Sequence, residues 1–210
     1  MANWIKEYRR QYKHLLSFNS SGQKRGLSKN IYDRSEGYEL IFQLLLEIKK
    51  SNFQIIETGT VRKPNNWKDG NSGFLFAEFV KAHNGFVRSV DIDQTAVDAA
   101  NTFIDNNYYK SYCSDSVTWL SNQTDLKSVD LFYLDSWDVE WMDDDPSASH
   151  HLKEFKAIEP FLHKDSIVAI DDNSFKLDGQ RTGKGRKIVE YLAQKNIFPI
   201  YDEYQIIYRF

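Results

Sequence analysis

Five short apolar runs in this 210-residue chain each end in polar residues, most of them acids. The ends are Glu57-Thr58-Gly59, Asp91 with Asp93, Ser114-Asp115-Ser116, Asp135, and Asp171-Asp172-Asn173. Carboxylates in such a set can accept hydrogen bonds from hydroxyl groups, hold a divalent cation or take up a proton. Acids also cap helices that follow strands, which would explain one or two of these positions but not all of them.

The elements that must position these residues follow from the hydrophobic pattern. Strands are predicted over 53–59, 85–92, 110–114, 129–135 and 166–172, and helices over 72–83, 95–106, 116–123, 149–163 and 184–195. This alternation is typical of β-α-β units, whose parallel strands deliver their carboxyl ends to one edge of a sheet. The final segment, FPIYDEYQIIYRF, has two strand-like stretches too close for a crossover helix and therefore predicts an antiparallel pair.

Two helices are predicted before the first strand. Apolar residues recur at helical spacing from Trp4 to Leu15, and a second periodic stretch follows Ser35, a candidate N-cap. We therefore expect an α/β, Rossmann-like, doubly wound fold. Its sheet should be seven-stranded and mostly parallel, with a C-terminal antiparallel hairpin and with N-terminal helices in front. Residues 1–50 are predicted to form a helical extension and residues 51–210 the ligand-binding domain.

Composition narrows the class of protein. Apolar residues make up 41% and charged residues 27%, as in a soluble globular domain. Cys113 is the only cysteine, the start MANWIKEYRR lacks a signal-peptide pattern, and no apolar run is long enough for a membrane span, so we expect a cytoplasmic protein without membrane contact. The first 30 residues carry a net charge of +6 and the remainder −9, which argues against a nucleic-acid partner for the main body.

The segment Glu57-Thr58-Gly59-Thr60, with Gly70 and Ser72 at a following helix start, resembles the first motif of class I S-adenosylmethionine-dependent methyltransferases. By that resemblance residues 51–210 bind S-adenosylmethionine, Asp91 accepts hydrogen bonds from the ribose, and Asp115 with Ser116 lies beside the adenine. The cofactor contacts so predicted are Glu57, Thr58, Gly59, Thr60, Gly70, Ser72, Asp91, Asp93, Asp115, Ser116 and Asp135. A dinucleotide G-x-G-x-x-G fingerprint is absent, which counts against a dehydrogenase.

One departure from the family pattern is the insertion VRKPNNWKD at residues 61–69, between the two glycines of the first motif. It can be a lid or substrate contact over the cofactor, or a solvated surface loop. The sequence leaves both interpretations open.

The stretches LFYLDSWD and VAIDDN resemble metal-dependent O-methyltransferases of the catechol and caffeoyl-CoA type. The resemblance implies a Mg²⁺ or other divalent ion on Asp135, Asp172 and Asn173, and the consecutive acids of the macrocin-type branch make Asp171 a competing ligand. Such an ion would bind a substrate hydroxyl and lower its pKa. Methyltransferases without a metal also carry an Asp after strand 4, so a metal-free site is the alternative.

The general base is not indicated by the resemblance, because Asp138 stands where the catechol-type enzymes have a lysine. Asp138 is then a base or an extra ligand, and His150 and His151 are further candidates because their pKa lies near neutrality. The candidate catalytic residues are Asp135, Asp138, His150 and His151. The acidic stretch from Glu140 to Asp145 is predicted to be a solvated loop.

A basic, glycine-punctuated loop, GQRTGKGRK, follows the fifth strand and could bind an anionic substrate or cap the last helix. The resulting hypothesis is O-methylation of a small-molecule hydroxyl on a sugar, polyketide or phenolic compound. The alternatives are a non-catalytic or regulatory Rossmann-type protein that binds a nucleotide-like ligand, and another enzyme on the same fold. The sequence leaves open whether the chain forms a homo-oligomer.

Overall fold

The computed structural model describes residues 2–17, 33–124 and 126–210. Its strands are β1 Phe53–Thr58, β2 Gly85–Asp91, β3 Tyr109–Cys113, β4 Val129–Leu134, β5 Leu162–Ile170, β6 Asn173–Phe175, β7 Arg181–Gly183, β8 Tyr201–Asp202 and β9 Ile206–Arg209. Its helices are α1 Ala2–Gln11, α2 Ser35–Glu47, α3 Ser72–His83, α4 Gln94–Phe103, α5 Ser116–Ser121, α6 Asp145–Ile158 and α7 Arg186–Ala193.

Seven strands form one sheet in the order β3-β2-β1-β4-β5-β9-β8. Strands β1 to β5 are parallel, β9 runs antiparallel to β5, and β8 pairs antiparallel with β9. The predicted α/β class, the seven-stranded sheet and the terminal hairpin are confirmed. Because the chain leaves β1 on one side for β2 and later returns on the other as β4, the ends of β1 and β4 form the switch point at which such sheets bind ligands.

Both faces of the sheet are covered by helices, so its central strands are apolar throughout rather than alternating. Ile55 of β1 belongs to a core that includes residues of α2 and α3, whereas its neighbour Ile56 belongs to a second core with residues of α5, α6 and α7. This arrangement fixes the strand ends between two packed layers. No helix in the described ranges combines the length and the apolarity needed to cross a bilayer.

The N-terminal helices share the first of these cores. Tyr8 of α1 and Tyr38 and Phe42 of α2 are fully buried, and the ring of Tyr38 stacks on Tyr133 of β4 at 5.7 Å between centroids. Ser35 is the first residue of α2 rather than its cap, because Arg34 occupies the N-cap position; the N–H of Ser35 donates instead to Asp33 Oδ1 at 2.8 Å. The basic residues Lys24, Arg25 and Lys29 and the loop predicted around them lie outside the described residues.

Three boundaries differ from the prediction for local reasons. Helix α6 begins at Asp145 instead of 149, because Pro146 suits the first turn of a helix, where its missing N–H costs nothing. The α-helix ends at Ile158, because Pro160 has no N–H to continue its hydrogen-bond ladder. A single 3₁₀ turn over Glu159–Phe161 follows, and β5 then begins at Leu162 instead of 166. The short antiparallel pair β6–β7 was not predicted, because three-residue strands carry no periodic signal.

Candidate functional site

The predicted acids meet at one edge because the strands are in register. Thr58 of β1 pairs with Val90 of β2 on one side and with Leu134 of β4 on the other, and Leu134 pairs with Ile170 of β5. The residues that follow these pairs therefore leave the sheet at the same level. They are Gly59, Asp91, Asp135 and Asp171.

The turn after β1 requires glycine. Gly59 has φ of 83°, and a Cβ atom there would collide with the backbone carbonyl of Asp135. Its N–H donates to the carbonyl of Val90 at 2.8 Å, and its own carbonyl accepts from the Ser89 hydroxyl at 2.8 Å. The chain thus passes tightly over the switch point and leaves the space beyond it open.

Asp91 is held at the rim of that space by backbone groups. Its Oδ2 accepts the N–H of Thr60 at 2.9 Å, and its Oδ1 accepts the N–H of Asp93 at 2.9 Å. Both oxygens keep further lone pairs, so the carboxylate is oriented but can still accept hydrogen bonds from a ligand.

Two neighbouring cavities form a cleft along the edge. One, of about 560 Å³, is lined by Asp91, Asp115 and His150 and by the side chains of Ile92 and Trp137, which are 77% and 55% exposed. The other, of about 220 Å³, is lined by residues of the loops after β1, β4 and β5, among them Gly59, Thr60, Asp135 and Asp172, and by Tyr204 between β8 and β9. Four residues line both: Arg62, Asp91, Ser136 and Asp138.

Three of the predicted cofactor contacts have structural partners of their own. Asp93 caps α4 by accepting the N–H of Thr95 at 2.8 Å, and Asp115 caps α5 by accepting the N–H of Thr118 at 2.8 Å, a bond that lowers the pKa of Asp115. The buried hydroxyl of Ser116 donates to the carboxylate of Glu154. All three line the larger cavity, so their helix roles do not remove them from the cleft.

The other residues of the first motif support the turn from beneath. Glu57 is fully buried, accepts a hydrogen bond from the Ser72 hydroxyl, and has its pKa raised to about 7 by burial. Thr58 is also buried and donates to Glu154 of α6 at 3.0 Å. Gly70 has φ of 90° and packs against Tyr38 and the side chain of Arg34. Of these, Ser72 lines the smaller cavity.

Both candidate histidines belong to a hydrogen-bond network around Glu154. His150 Nε2 lies 3.1 Å from Glu154 Oε1, and this carboxylate raises the pKa of His150. His151 is fully buried, its Nδ1–H donates to the carbonyl of Ser147 at 2.7 Å, and burial lowers its pKa to about 4. His151 is therefore neutral at pH 7 and enclosed by protein, whereas His150 reaches the larger cavity.

The acids after β4 and β5 form a largely buried cluster, and two cations lie against them. We call Asp135, Asp171 and Asp172 the carboxylate cluster. The ammonium of Lys184 lies 2.5 Å from Asp135 Oδ1 and 2.8 Å from Asp172 Oδ2. Arg34 Nε lies 2.6 Å from Asp171 Oδ2, and its Nη2 lies 3.2 Å from Asp172 Oδ1.

The surroundings shift the pKa values of the three acids of the cluster in different directions. Burial raises the pKa of Asp135 well above its usual range, and Lys184 offsets only part of that effect. Asp172 is partly buried, but Lys184 and Arg34 together outweigh the effect of desolvation and hold its pKa below the usual range. Burial and the neighbouring Asp172 raise the pKa of Asp171 against the opposing influence of Arg34. Asp135 is thus a stronger base than an ordinary aspartate.

The donor set does not fit a divalent ion. The side-chain amide of Asn173 donates to the carbonyls of Ile170 at 2.9 Å and Asp171 at 3.0 Å, and its Oδ1 accepts the N–H of Gly185 at 2.7 Å. Asp135 and Asp172 are bridged by an ammonium group. Within the described residues no group of three or more His, Cys, Asp or Glu side chains has a geometry that could hold a metal. The arrangement of Asp135, Asp171, Asp172 and Asn173 therefore does not support the predicted metal site.

The basic loop and the acidic stretch neutralise each other. Arg186 and Lys187 bond to Asp145, Arg186 also bonds to Asp144, and Arg181 bonds to Asp202. Asp144 is buried, so this end of the acidic stretch is not the solvated loop that was predicted. With its cations paired in this way, the loop gives no support to an anionic substrate.

Asp138 lies on the rim of the cleft. It bonds to Arg62 of the 61–69 insertion at 2.7 Å, which brings that insertion over the boundary between the two cavities. The insertion is therefore part of the cleft and not a remote surface loop.

Sequence reasoning missed Arg34, Glu154 and Tyr204, and it did not pair Lys184 with the acids after β4 and β5. The hydroxyl of Tyr204 donates to Asp172, and its ring lies under Arg34 at 4.8 Å. In the sequence, the only feature that could have pointed to these residues was a polar or charged side chain beside an apolar pattern. Their partners are up to 170 residues away in the sequence.

No protein-family model matches the chain, and no curated protein matches it significantly. Solved structures share its fold. CalS11, described as a calicheamicin methyltransferase, superimposes with a TM-score of 0.56 at 13% identity, over 83% of this chain and 77% of CalS11. An rRNA methylase from Streptococcus thermophilus superimposes with a TM-score of 0.51 at 12% identity, over 82% of this chain and 95% of the methylase. At such identities the likeness concerns the fold alone. The chain has the Rossmann-like fold that these methyltransferases share.

Proposed function

We propose that the protein is an S-adenosylmethionine-dependent methyltransferase that methylates a hydroxyl group of a small molecule. The observation that carries the proposal is the cleft at the switch point, where a glycine turn, an oriented carboxylate and two joined cavities occur together. Its larger cavity, of about 560 Å³, falls within the range of roughly 300–1,000 Å³ typical of small-molecule sites.

The larger cavity suits an adenosine. Asp91 stands where ribose hydroxyls can donate to it, and the exposed side chains of Ile92 and Trp137 offer apolar surfaces to a purine ring. Helix α3 begins beside the smaller cavity at Ser72, and no side-chain cap bonds to its first N–H groups among the described residues. A free helix N-terminus of this kind binds a carboxylate such as that of the methionine moiety.

The smaller cavity leads to Asp135, which we assign as the base. Its side chain is 19% exposed, lines this cavity, and has a raised pKa because of burial. A carboxylate in this position can accept the proton of an acceptor hydroxyl as the oxygen approaches the sulfonium methyl group. His151 is enclosed, and His150 is bonded to Glu154 at the other end of the cleft, so neither is assigned a proton-transfer role.

A sugar hydroxyl is the acceptor class we favour. CalS11 is described as a TDP-rhamnose 3'-O-methyltransferase, and it shares the fold over most of both chains. The rRNA methylase offers a second acceptor class, but the net charge of −9 beyond residue 30 disfavours contact with a polyanion.

The cofactor part of the proposal is tested by calorimetric titration with S-adenosylhomocysteine. We expect Asp91→Ala to weaken binding by about 10–100-fold, because hydrogen bonds to a charged group contribute about 1.5–3 kcal/mol. Asp98→Asn, an exposed carboxylate of α4 outside both cavities, is the matched control and should bind like wild type. A wild-type protein that is folded but binds neither the cofactor nor its product would refute the proposal.

The catalytic part is tested by comparing Asp135→Asn with Asp138→Asn. We expect Asp135→Asn to lower kcat by about 10²–10⁴-fold, as the removal of a general base does. Its affinity for S-adenosylhomocysteine should change only a few-fold. Asp138→Asn, on the rim, should retain most of the activity. The reverse order of effects would make Asp138 the base. Cofactor binding without transfer to any sugar or phenolic acceptor would favour the non-catalytic alternative.

A further inference from the structure

Lys184 is the most deeply buried cation of the site. Its side chain is 1% exposed, and its ammonium bridges Asp135 of the loop after β4 and Asp172 of the loop after β5 at 2.5 and 2.8 Å. These are two of the positions to which the resemblance assigns a divalent ion. In this chain the ammonium group therefore balances the negative charge of two converging carboxylates, as that ion would do.

The backbone around Lys184 is built to place it there. Gly183 has φ of 113°, and a Cβ atom on it would collide with the carbonyl of Asp172. Its N–H donates to Asp144 at 2.8 Å, and the N–H of Gly185 donates to Asn173 Oδ1 at 2.7 Å. Asn173, the residue expected to bind a metal, thus holds the turn that delivers the lysine.

A second cation completes the compensation from the opposite side. Arg34 is 6% exposed and bonds to both Asp171 and Asp172. Together the two side chains contribute two positive charges, the charge of one divalent ion. A metal entering the cluster would have to approach a buried ammonium that already lies between its ligands, and like charges in a poorly solvated site repel strongly.

We propose that Lys184 is the resident cation of the carboxylate cluster, in the place of the divalent ion of metal-dependent O-methyltransferases, and that methyl transfer by this protein requires no divalent metal. The proposal rests on the proposed function for its statement about methyl transfer. Its statement about the cluster concerns metal binding alone. Lys184 acts through Asp135, whose carboxylate it orients toward the cleft, and is therefore a positioning residue.

The test is titration of the full-length protein with Mn²⁺, followed by electron paramagnetic resonance, without any cofactor. We expect no stoichiometric site in wild type. Lys184→Ala should gain one Mn²⁺ site, because it frees two carboxylates and the space of the ammonium, and the site should disappear in Lys184→Ala with Asp172→Asn. Lys187→Ala, which removes a lysine bonded to Asp145 outside the cluster, should gain none.

An activity arm completes the test. Wild-type turnover should be unchanged by chelator, whereas Lys184→Ala should lose activity and regain part of it on addition of Mn²⁺. A lysine with only a structural role would give no such rescue. If Lys184→Ala does not fold, Lys184→Met serves as the second variant, and the wild-type titration remains decisive.

Two results would overturn the proposal. One is a stoichiometric Mn²⁺ site in wild type that Asp172→Asn removes, and the other is a folded Lys184→Ala that gains no site. Failure of the proposed function would show itself differently, as the absence of S-adenosylhomocysteine binding. The Mn²⁺ titration can be interpreted in either case, because it uses no cofactor.

Discussion

Glu57 shows how one buried side chain couples the first motif to pH. Its carboxyl group has no exposure, and among the described residues its Oε2 has no hydrogen-bond partner. Burial raises its pKa from 4.5 to about 7, while the hydroxyl of Ser72 opposes that shift. Between these two values the folded state binds a proton that the unfolded state has released. The free energy of unfolding therefore decreases as the pH rises from about 4.5 to about 7 and stays lower above it.

We expect Glu57→Gln to remove this dependence, because glutamine keeps the shape of the protonated acid and cannot ionise. Its advantage over wild type should be small at pH 5 and reach about 3 kcal/mol at pH 8, from about 1.4 kcal/mol per pKa unit. Urea unfolding at the two pH values measures it, with the exposed Glu140→Gln as control. Equal pH dependence in wild type and Glu57→Gln would contradict the assignment.

At the residue scale, the sequence predicts which acids lie at the sheet edge but not which side chains contact them. Asp91 and Asp135 were placed correctly at the edge because they directly follow apolar strands, and strand ends are visible in a sequence. Their partners are not visible in the same way. Lys184 is 49 residues from Asp135, and Arg34 is 137 residues from Asp171, so only the folded chain brings them together.

At the scale of elements, α6 is the helix that ties the strand-end loops together. Its Glu154 accepts hydrogen bonds from Thr58 at the end of β1, from Ser116 at the start of α5 and from Ser136 after β4. The carboxylate is fully buried, but its hydrogen bonds with His150 and Ser116 outweigh the effect of burial and hold its pKa below the usual value.

Glu154→Ala should therefore leave several buried donors without an acceptor and lower the free energy of unfolding by about 3 kcal/mol. Glu190→Ala, a largely exposed glutamate on α7, should change it by less than about 0.5 kcal/mol. Chemical denaturation of both variants gives the comparison, and similar values for the two would show that Glu154 does not join these elements.

Helices and strands with long hydrophobic patterns were predicted more accurately than short ones. Strands β1 and β2 lie within one residue of their predicted ranges, and α3 has the predicted bounds, because continuous apolar runs and helical periodicity define them. The start of β5 and the end of α6 were misplaced around Pro160. The β6–β7 pair was missed, although it carries the turn that positions Lys184.

At the scale of the whole molecule, the N-terminal helices are part of the protein's core. Tyr8, Tyr38 and Phe42 are buried against the sheet domain, and Arg34 enters the carboxylate cluster just before α2 begins. The sequence-based division at residue 50 thus cuts through a shared core in the described part of the chain.

Residues 51–210 expressed alone should not fold cooperatively. Each large apolar side chain removed from the core loses roughly 1.5–3 kcal/mol, so several together approach the roughly 5–15 kcal/mol that stabilises a typical domain. Size-exclusion chromatography and urea unfolding followed by circular dichroism measure this. A cooperative transition with the full-length midpoint would show that the sheet domain is independent.

The ion pair between Arg62 and Asp138 has a consequence for ligand exchange. The two side chains are 55% and 75% exposed, and pairs so accessible to water contribute less than about 1 kcal/mol. Separating them changes the population of the open state by no more than roughly fivefold. The contact between the two cavities can therefore break and re-form at little cost in free energy, and turnover in the proposed reaction should be insensitive to Arg62→Ala and to moderate salt.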